Sequence, residues 1–271
     1  MEIRLEGVSF TYPSGAQALA DIDLTFGAGA AVGIIGANGS GKTTLARHLD
    51  GLLRPASGRV LLDRVDAATR STAQLAAQVG LAFQDPDRQI FERTVRAEVS
   101  FGPRQRAWSD EQRRHAVDAA LEATGLADAA DLHPGELGAG RRKLLTMASV
   151  LAMQTPVVVL DEPTIGLDRR GIDRIAGLIE QLRSAGRTVV GISHDLRFVA
   201  ESFERIVVLE AGRLVSEGTP AEVFDEGAWP MLERSGLAPP RAARLGAALG
   251  LGSTPTEGAL VAAARRRAGE A

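Results

Sequence analysis

The strongest chemical signal in this sequence is a glycine-rich segment, residues 36–43. It reads Gly-Ala-Asn-Gly-Ser-Gly-Lys-Thr and matches the spacing G-x-x-x-x-G-K-[ST] of a phosphate-binding loop. The glycines let successive backbone N–H groups turn toward phosphate oxygens, and the positive end of the following helix faces the same oxygens. Lys42 is expected to reach the β- and γ-phosphates, and the Thr43 hydroxyl to ligate Mg²⁺. This phosphate loop predicts a nucleoside triphosphate site.

A pair of acidic residues, Asp161 and Glu162, follows the apolar run at residues 157–160. A carboxylate at the end of a buried strand can hold Mg²⁺ through water, and an adjacent carboxylate can activate an attacking water molecule. Taken alone, two acids after an apolar strand are more often a solvated strand end than a site. The phosphate loop in the same chain favours the catalytic interpretation.

A histidine, His194, follows another apolar run at residues 188–192. Open parallel sheets bind ligands at the carboxyl ends of their strands, and a neutral imidazole there can hydrogen-bond a γ-phosphate. A lone histidine is more often structural, but the position of His194 after a core strand favours a role in the site. The other three of the four histidines have no such context.

The elements that must position these residues are indicated by the apolar pattern. Alternating or continuous apolar runs typical of strands occupy residues 2–26, 31–35, 157–160, 188–192 and 206–215. Helical spacing occupies residues 43–52 and 173–182. Strands that alternate with helices predict an α/β fold with a mostly parallel sheet.

Two stretches depart from this alternation. Residues 86–152 are helix-prone and contain no confident buried strand, so they predict a helical insertion in the α/β domain. After about residue 225 the chain is rich in Ala, Gly, Pro and Arg. Near its end, Thr254-Pro255-Thr256-Glu257 has the pattern of a capping box, which predicts a helix capped by Thr254 with Pro255 in its first position.

The composition excludes several classes of function. In 271 residues, 31 basic and 34 acidic side chains give a net charge of −3, which argues against nucleic acid as a partner held by bulk attraction. No cysteine is present, so disulfides, thiolate metal sites and cysteine nucleophiles are excluded. No apolar run approaches the ~18 residues of a membrane span. Only two of the basic residues are lysines, Lys42 and Lys143; the first lies in the phosphate loop, and the second has no explanation in the sequence.

Taken in order along residues 2–220, these motifs resemble the ATP-binding-cassette (ABC) ATPases. The resemblance implies a P-loop ATPase core of mostly parallel sheet and helices, an antiparallel β subdomain and a helical insertion. It divides the chain into an ATPase domain at 1–220, with the helical subdomain at about 86–152, and a C-terminal extension at 221–271. In this family two subunits sandwich two Mg²⁺-ATP molecules, so a second ABC ATPase subunit is the first implied partner.

The resemblance also assigns site residues. Nucleotide binding is assigned to Tyr12, which would stack on adenine, and to Gly36, Asn38, Gly39, Ser40, Gly41, Lys42, Thr43 and Thr44. Mg²⁺ is assigned to Thr43, Gln84 and Asp161. Catalysis is assigned to Glu162 and His194, and Asp168 is the aspartate of the family's D-loop.

Finer similarity points to one branch of the family, the energy-coupling-factor (ECF) importers. It rests on the segments at residues 83–91, 94–95, 99–103 and 161–168 and on the length of the C-terminal extension. ECF importers take up vitamins or nickel and cobalt, and in them the extension helps to pair the two ATPases. A transmembrane coupling protein and a small substrate-binding membrane subunit are the further implied partners. The chain would therefore lie on the cytoplasmic face of the cell membrane as a peripheral protein.

One motif departs from the family pattern. The family's signature loop, Leu-Ser-Gly-Gly-Gln, aligns with Leu137, Gly138, Ala139, Gly140 and Arg141. Gly138 lacks the serine hydroxyl that contacts the γ-phosphate of the opposite subunit, and Ala139 adds a methyl group where close approach is needed. We expect a weakened signature face, which the charge of Arg141 would partly offset.

Three other interpretations compete with the ECF hypothesis. The chain would suit an ATPase of another ABC importer branch, or a non-transport soluble ABC ATPase, although the low net charge counts against a nucleic-acid role. A P-loop kinase is weaker because it would not explain Gln84, Asp168 and His194 together.

Overall fold

The strands of the protein form two sheets. The computed structural model describes residues 1–269. The strands are β1 (Ile3–Thr11), β2 (Gln17–Phe26), β3 (Ala31–Ile35), β4 (Ser57–Leu62), β5 (Val65–Asp66), β6 (Val79–Ala82), β7 (Val157–Asp161), β8 (Thr188–Ile192), β9 (Arg205–Glu210) and β10 (Arg213–Gly218). The helices are α1 (Lys42–Leu49), α2 (Thr72–Ala76), α3 (Val95–Arg104), α4 (Asp110–Thr124), α5 (Ala139–Ala152), α6 (Arg169–Ser184), α7 (Leu196–Ser202), α8 (Pro220–Val223), α9 (Trp229–Arg234), α10 (Arg241–Ala248) and α11 (Glu257–Ala268).

The larger sheet carries the candidate site. Its order is β10-β9-β3-β8-β7-β6, and every pair is parallel except the β9–β10 hairpin. The smaller sheet, β2-β1-β4-β5, is antiparallel. The expected α/β fold, a mostly parallel sheet with an added antiparallel sheet, is therefore confirmed. The connections place the ends of β3, β7 and β8 at one edge of the larger sheet, where ligands bind in such folds.

The core is divided by the larger sheet into two layers. On β3, Ala31 and Ile35 face one layer with the helices, whereas Val32 and Ile34 face the layer shared with the antiparallel sheet. Successive side chains of a strand point to opposite faces, so a strand covered on both sides is apolar throughout. This explains why β3, β7 and β8 appear in the sequence as continuous apolar runs.

Two glycines on neighbouring strands make room for an aromatic ring. Gly33 of β3 and Gly191 of β8 are directly paired. A Cβ atom at Gly191 would lie 2.1 Å from the Phe203 ring, and one at Gly33 would lie 2.7 Å from Val199. The absence of side chains at this pair lets α7 and the residue after it pack directly against the sheet.

The stretch that the sequence predicts to be helical contains helices, whereas the last helix begins at a different residue from the predicted one. Residues 86–152 hold α3, α4 and α5 and, throughout this described stretch, no strand. The capping prediction at the end of the chain is wrong. Helix α11 begins at Glu257, and the Thr256 hydroxyl accepts the N–H of Ala259 at 3.1 Å. Thr254 is buried instead, and its hydroxyl donates to the Ala242 carbonyl at 2.8 Å, because it packs beneath α10.

Within residues 1–269, none of the helices combines the length and the apolar character needed to cross a membrane. The division of the chain at residue 220 stays a prediction.

Candidate active site

The phosphate loop connects β3 to α1 through backbone conformations that only glycine adopts easily. Gly36 has φ 155° and Gly41 has φ 103°. A Cβ atom at Gly36 would lie 2.3 Å from the Leu209 carbonyl oxygen, and one at Gly41 would lie 2.5 Å from that of Ala18. Both obstacles are backbone atoms, so they cannot move aside as a flexible side chain would. The loop is therefore held against β9 and β2 with its N–H groups in a fixed array.

Lys42 lies across the loop that contains it. Its ammonium group donates to the carbonyl oxygens of Gly36 at 2.8 Å and Ala37 at 2.9 Å. Burial lowers the pKa of Lys42, and the negative charges of Glu162 and Asp161 oppose that shift. The side chain is long enough to turn from these carbonyls to phosphate oxygens bound above the loop.

One cavity of about 380 Å³ gathers most of the residues that the sequence assigns to nucleotide binding. It is lined by the assigned residues Tyr12, Asn38, Gly39, Gly41, Lys42, Thr43, Thr44, Gln84 and Glu162, among others. The Tyr12 hydroxyl and the Thr44 hydroxyl are 3.0 Å apart and hydrogen-bonded, and the Tyr12 ring meets the edge of Phe10 at 5.0 Å. Gly36 and Ser40 are the two exceptions, since Gly36 lines a neighbouring cavity and Ser40 is buried.

Asp161 ends β7 and is almost fully buried. Burial raises the pKa of its carboxyl group, the Thr43 hydroxyl opposes this, and the charge of Glu162 adds to it. Within the described residues, Asp161 Oδ1 has no hydrogen-bond partner. A buried oxygen without a partner is unfavourable unless a cation or donor completes it, so the environment of Asp161 fits a divalent ion bound nearby.

The residues around Asp161 would bind that ion only jointly with a ligand. In residues 1–269 no cluster of three His, Asp or Glu side chains is able to hold a metal ion. Mg²⁺ in nucleotide sites is typically held by one or two protein groups plus phosphate oxygens and water. The donor set of Thr43, Gln84 and Asp161, with one carboxylate, fits that mode.

Glu162 and His194 form a pair between the ends of β7 and β8. The Glu162 carboxylate is 2.8 Å from His194 Nδ1, and the Glu162 N–H donates to the Ile192 carbonyl at 2.8 Å. Glu162 has φ 50°, a left-handed conformation that costs a non-glycine residue free energy and is frequent at functional sites. The His194 side chain is 62% exposed and that of Glu162 only 10%, so the pair joins a sheltered carboxylate to an accessible imidazole.

The C-terminal extension contributes to the site, which the sequence did not indicate. A cavity of about 670 Å³ lies between the phosphate loop, Gln84, the Glu162–His194 pair and residues 236–241. A Cβ atom at Gly236 would lie 3.3 Å from Ala37, so the extension touches the loop. No motif in residues 236–241 signals this contact, because it is created by the path of the chain after α9.

The signature loop, residues 137–141, lines neither of these cavities. Gly138 is the N-cap of α5 and provides no side-chain hydrogen bond. A Cβ atom at Gly140 would lie 2.9 Å from the Gly166 carbonyl oxygen, so the loop packs on the D-loop. There, Asp168 caps α6 by accepting the Gly171 N–H at 2.8 Å.

Arg141 is already paired within its own subunit. Its guanidinium lies 2.5 Å from the Asp128 carboxylate and 3.4 Å from the Gly125 carbonyl oxygen. The Arg141 side chain is therefore not free to replace the missing serine contact while these bonds persist.

Lys143, unexplained by the sequence, is buried in α5. Its ammonium group donates to the carbonyl oxygens of Phe83 at 2.9 Å, Gln84 at 3.0 Å and Asp161 at 3.0 Å. Burial lowers its pKa to about 8, against the attraction of the Asp161, Glu162 and Asp85 charges. The only indication in the sequence that Lys143 makes these buried contacts is the rarity of lysine in the chain.

Comparison with known proteins adds independent support. The family described as ABC transporter matches residues 19–165. The chain is 42% identical over 252 residues to the energy-coupling factor transporter ATP-binding protein EcfA2 of Symbiobacterium thermophilum, covering 90% of this chain and 87% of that protein. It spans only 39% and 41% of the length of two relatives from Methanosarcina acetivorans and Methanosarcina mazei.

Solved structures agree with the sequence relatives. The structure of cbiO1 from Clostridium perfringens, described as part of the ABC transporter complex cbiONQ, superposes with a TM-score of 0.76 at 33% identity, covering 91% of this chain and 98% of that one. A dimeric post-hydrolysis structure of the ATP-binding cassette MJ0796 with ADP and Pi gives 0.74 at 28% identity, covering 80% and 98%. With a phosphate loop beside two strand-end acids and a histidine, the chain belongs to the ABC transporter family as one of its ATP-hydrolysing subunits.

Proposed function

We propose that this chain powers an ECF-type importer for a vitamin or a transition metal ion. Two ATPase subunits would close on two ATP molecules, each bound between one subunit's phosphate loop and the other's signature loop, and hydrolysis would reopen them. The observation that carries the proposal is the meeting of the phosphate loop, Gln84 and Glu162 in one cavity, next to His194. The relative and the structural neighbour with ECF and cbiONQ names support the ECF branch.

Glu162 is the proposed general base. Its carboxylate is sheltered, and its hydrogen bond to His194 Nδ1 fixes its direction, so it can orient the attacking water and accept its proton. The exposed side of the imidazole is then available to the γ-phosphate. Lys42 would exchange its two loop carbonyls for phosphate oxygens. Mg²⁺, held by Thr43, Gln84 and Asp161, would neutralise charge that develops on the phosphates.

An apolar groove beside Gln84 is the proposed docking site for a helix of the transmembrane coupling protein. This docking groove of about 380 Å³ is lined mainly by apolar groups of α2, β6, α3 and α5, with Phe83, Phe91 and Phe101 among them. Phe91 is 63% exposed and Phe101 41%, and their rings meet edge to face at 4.8 Å. Exposed aromatic pairs of this kind are typical anchors of a protein interface. Because Phe83 precedes Gln84, motion of the docked helix would reach the nucleotide site directly.

The C-terminal extension is the proposed contact between the two ATPases. Leu245 on α10, Leu249 at its end and Val261 on α11 are about half exposed. Leu245 and Leu249 are four residues apart and so lie on one face of the helix. An apolar face that residues 1–269 leave exposed suits burial against a second ATPase.

The membrane location follows from these partners. With a docked coupling protein and its substrate-binding subunit, the ATPase would be peripheral on the cytoplasmic face of the membrane. Pull-down of the tagged chain from membranes tests this branch of the proposal. Recovery of a small substrate-binding membrane subunit is expected, whereas recovery of a soluble solute-binding protein with a different permease would favour another importer branch.

Glu162→Gln tests the catalytic role. The amide cannot accept a proton, so we expect steady-state ATP hydrolysis to be lost while ATP still binds with near-wild-type affinity. Glu111→Gln, an exposed change on α4, is the matched control and should hydrolyse ATP normally. Near-normal turnover by the Glu162 variant would remove this residue from the role of general base.

A further inference from the structure

Lys143 is a buried side chain of α5, here called the signature helix because it begins at the signature loop, and it reaches the residues that follow β6 and end β7. The side chain is 2% exposed, and an ammonium group has three N–H donors. All three meet backbone carbonyl oxygens, at 2.9, 3.0 and 3.0 Å. Its hydrogen-bonding capacity is thus fully used on backbone atoms of other elements.

The three acceptors belong to two segments that must be held at a fixed spacing. Strands β6 and β7 pair in parallel up to Ala82 and Leu160, and beyond that register the ladder ends. Phe83 and Gln84 continue from β6, whereas Asp161 is the last residue of β7. The Lys143 ammonium therefore joins these two segments by hydrogen bonds beyond the point where the ladder between β6 and β7 ends. Gln84 and Asp161 are also two of the three proposed Mg²⁺ ligands.

The same helix begins at the signature loop. Gly138 is the N-cap of α5, and Lys143 follows five residues later, about 7.5 Å along the axis at 1.5 Å per residue. A helix moves as a rigid element over that distance. A displacement of its N-terminus by the partner's nucleotide would therefore shift the ammonium, and with it the spacing of Gln84 and Asp161.

Lysine suits this position better than arginine. The compact tetrahedral ammonium of lysine can point its three N–H groups at three converging carbonyl oxygens. The guanidinium of arginine is planar and holds its N–H groups in a rigid fork, which does not match that arrangement. Arginine accounts for 29 of the 31 basic residues, so a lysine here stands against the bias of the chain.

We propose that Lys143 is a positioning residue that couples the signature helix to the metal-binding residues of its own subunit. Engagement of the signature loop by the partner's nucleotide then sets the spacing of Gln84 and Asp161, and so links the two ATP sites. The inference rests on the proposed closure of two subunits on ATP.

The test compares Lys143→Met, which keeps the length and removes the donors, with Leu145→Met, a volume-conserving change of another fully buried residue on α5. Mn²⁺ binding is titrated by electron paramagnetic resonance with a non-hydrolysable ATP analogue present. Nucleotide affinity without metal and the Hill coefficient of ATP hydrolysis are measured on the same samples.

For Lys143→Met we expect Mn²⁺ affinity to fall about tenfold or more, since charge-assisted bonds are lost, and the Hill coefficient to approach one. Nucleotide affinity without metal should change less than about twofold, because the phosphate loop is untouched.

Leu145→Met should leave Mn²⁺ affinity and the Hill coefficient at their wild-type values. A folded Lys143→Met protein with wild-type Mn²⁺ affinity and cooperativity overturns the proposal. So does an equal loss in both variants, which would show that Lys143 only fills the core.

If Lys143→Met does not fold, Lys143→Arg retains a buried cation, and wild-type Mn²⁺ affinity and cooperativity in that variant likewise overturn the proposal. The Mn²⁺ titration does not require turnover. Absence of ATP hydrolysis in the wild type would therefore contradict the proposed function and leave the metal-positioning role still measurable.

Discussion

Replacing Gly138 by serine and Ala139 by glycine restores the family pattern of the signature loop. Space is available, because a Cβ atom at Gly138 would meet nothing within 4 Å. The backbone of Gly138, with φ −62° and ψ 160°, already has the geometry of an N-cap. Serine at an N-cap adds a few tenths of a kcal/mol over glycine, and glycine in a helix costs up to about 1 kcal/mol relative to alanine. The double variant should therefore lose no more than about 1 kcal/mol of unfolding free energy.

The gain in activity comes from a contact with the partner's nucleotide. A hydrogen bond to a charged group contributes about 1.5–3 kcal/mol, which corresponds to roughly 10- to 150-fold in the rate of the step that uses it. Arg141 would not mask this gain, because Asp128 and Gly125 already engage its guanidinium. Both sites improve in a homodimer, whereas in a heterodimer only the site facing this subunit's signature loop improves.

The assay is steady-state ATP hydrolysis by purified protein, with thermal unfolding as the check on folding. Gly177→Ser is the matched control, because Gly177 is an exposed helical glycine whose Cβ would also meet nothing within 4 Å. We expect the double variant to hydrolyse ATP at least tenfold faster and the control to match the wild type. No gain in a well-folded double variant would refute the idea of a weak signature face.

Two further outcomes are expected. Tyr12→Ala should weaken ATP binding about tenfold or more, since stacking on a base is worth roughly 1–3 kcal/mol. Tyr12→Phe loses only the hydrogen bond to Thr44 and should bind ATP within about threefold of the wild type. Equal ATP affinity of the Ala variant and the wild type in calorimetry would exclude stacking. Burial raises the pKa of Asp50 from 3.8 to about 6, so the folded protein binds a proton that the unfolded chain releases, and stability falls as pH rises from about 4 to 6. Asp50→Asn should remove this pH-dependent loss of stability. In urea titrations the unfolding free energy of the variant should exceed that of the wild type by a margin that grows with pH, to at most about 3 kcal/mol at neutral pH. A difference in unfolding free energy that does not change with pH would contradict the argument.

The parts of the site that the sequence predicts are those carried by short segments. A phosphate loop needs a particular spacing of glycines, and the strand-end residues Asp161, Glu162 and His194 each follow a continuous apolar run. The structure brings Glu162 and His194 into contact, because the ends of parallel strands meet at one edge of a sheet.

The missed features depend on contacts between distant segments. In strand β4 only Val60 and Leu62 are buried and the first three residues are exposed, so only part of the strand carries an apolar signal. Strand β6 is four residues long and includes Gly80. The local sequence favours Thr254 as the cap of α11, because Pro255 and Glu257 follow it in the capping-box pattern. Burial of Thr254 beneath α10 overrides this pattern, and Thr256 caps the helix instead. Lys143 and residues 236–241 have no local signature, since their contacts with the site depend on packing between elements that are far apart in sequence.

The paired glycines Gly33 and Gly191 determine how closely α7 and Phe203 pack against the larger sheet. Phe203 fills the space that they leave, and α7, which lies between His194 and Phe203, rests on the sheet through it. A single methyl group at Gly191 would wedge the ring outward and tilt the helix whose N-terminal end follows His194. We therefore expect Gly191→Ala to displace the His194 imidazole relative to Glu162 while leaving both of these residues unchanged.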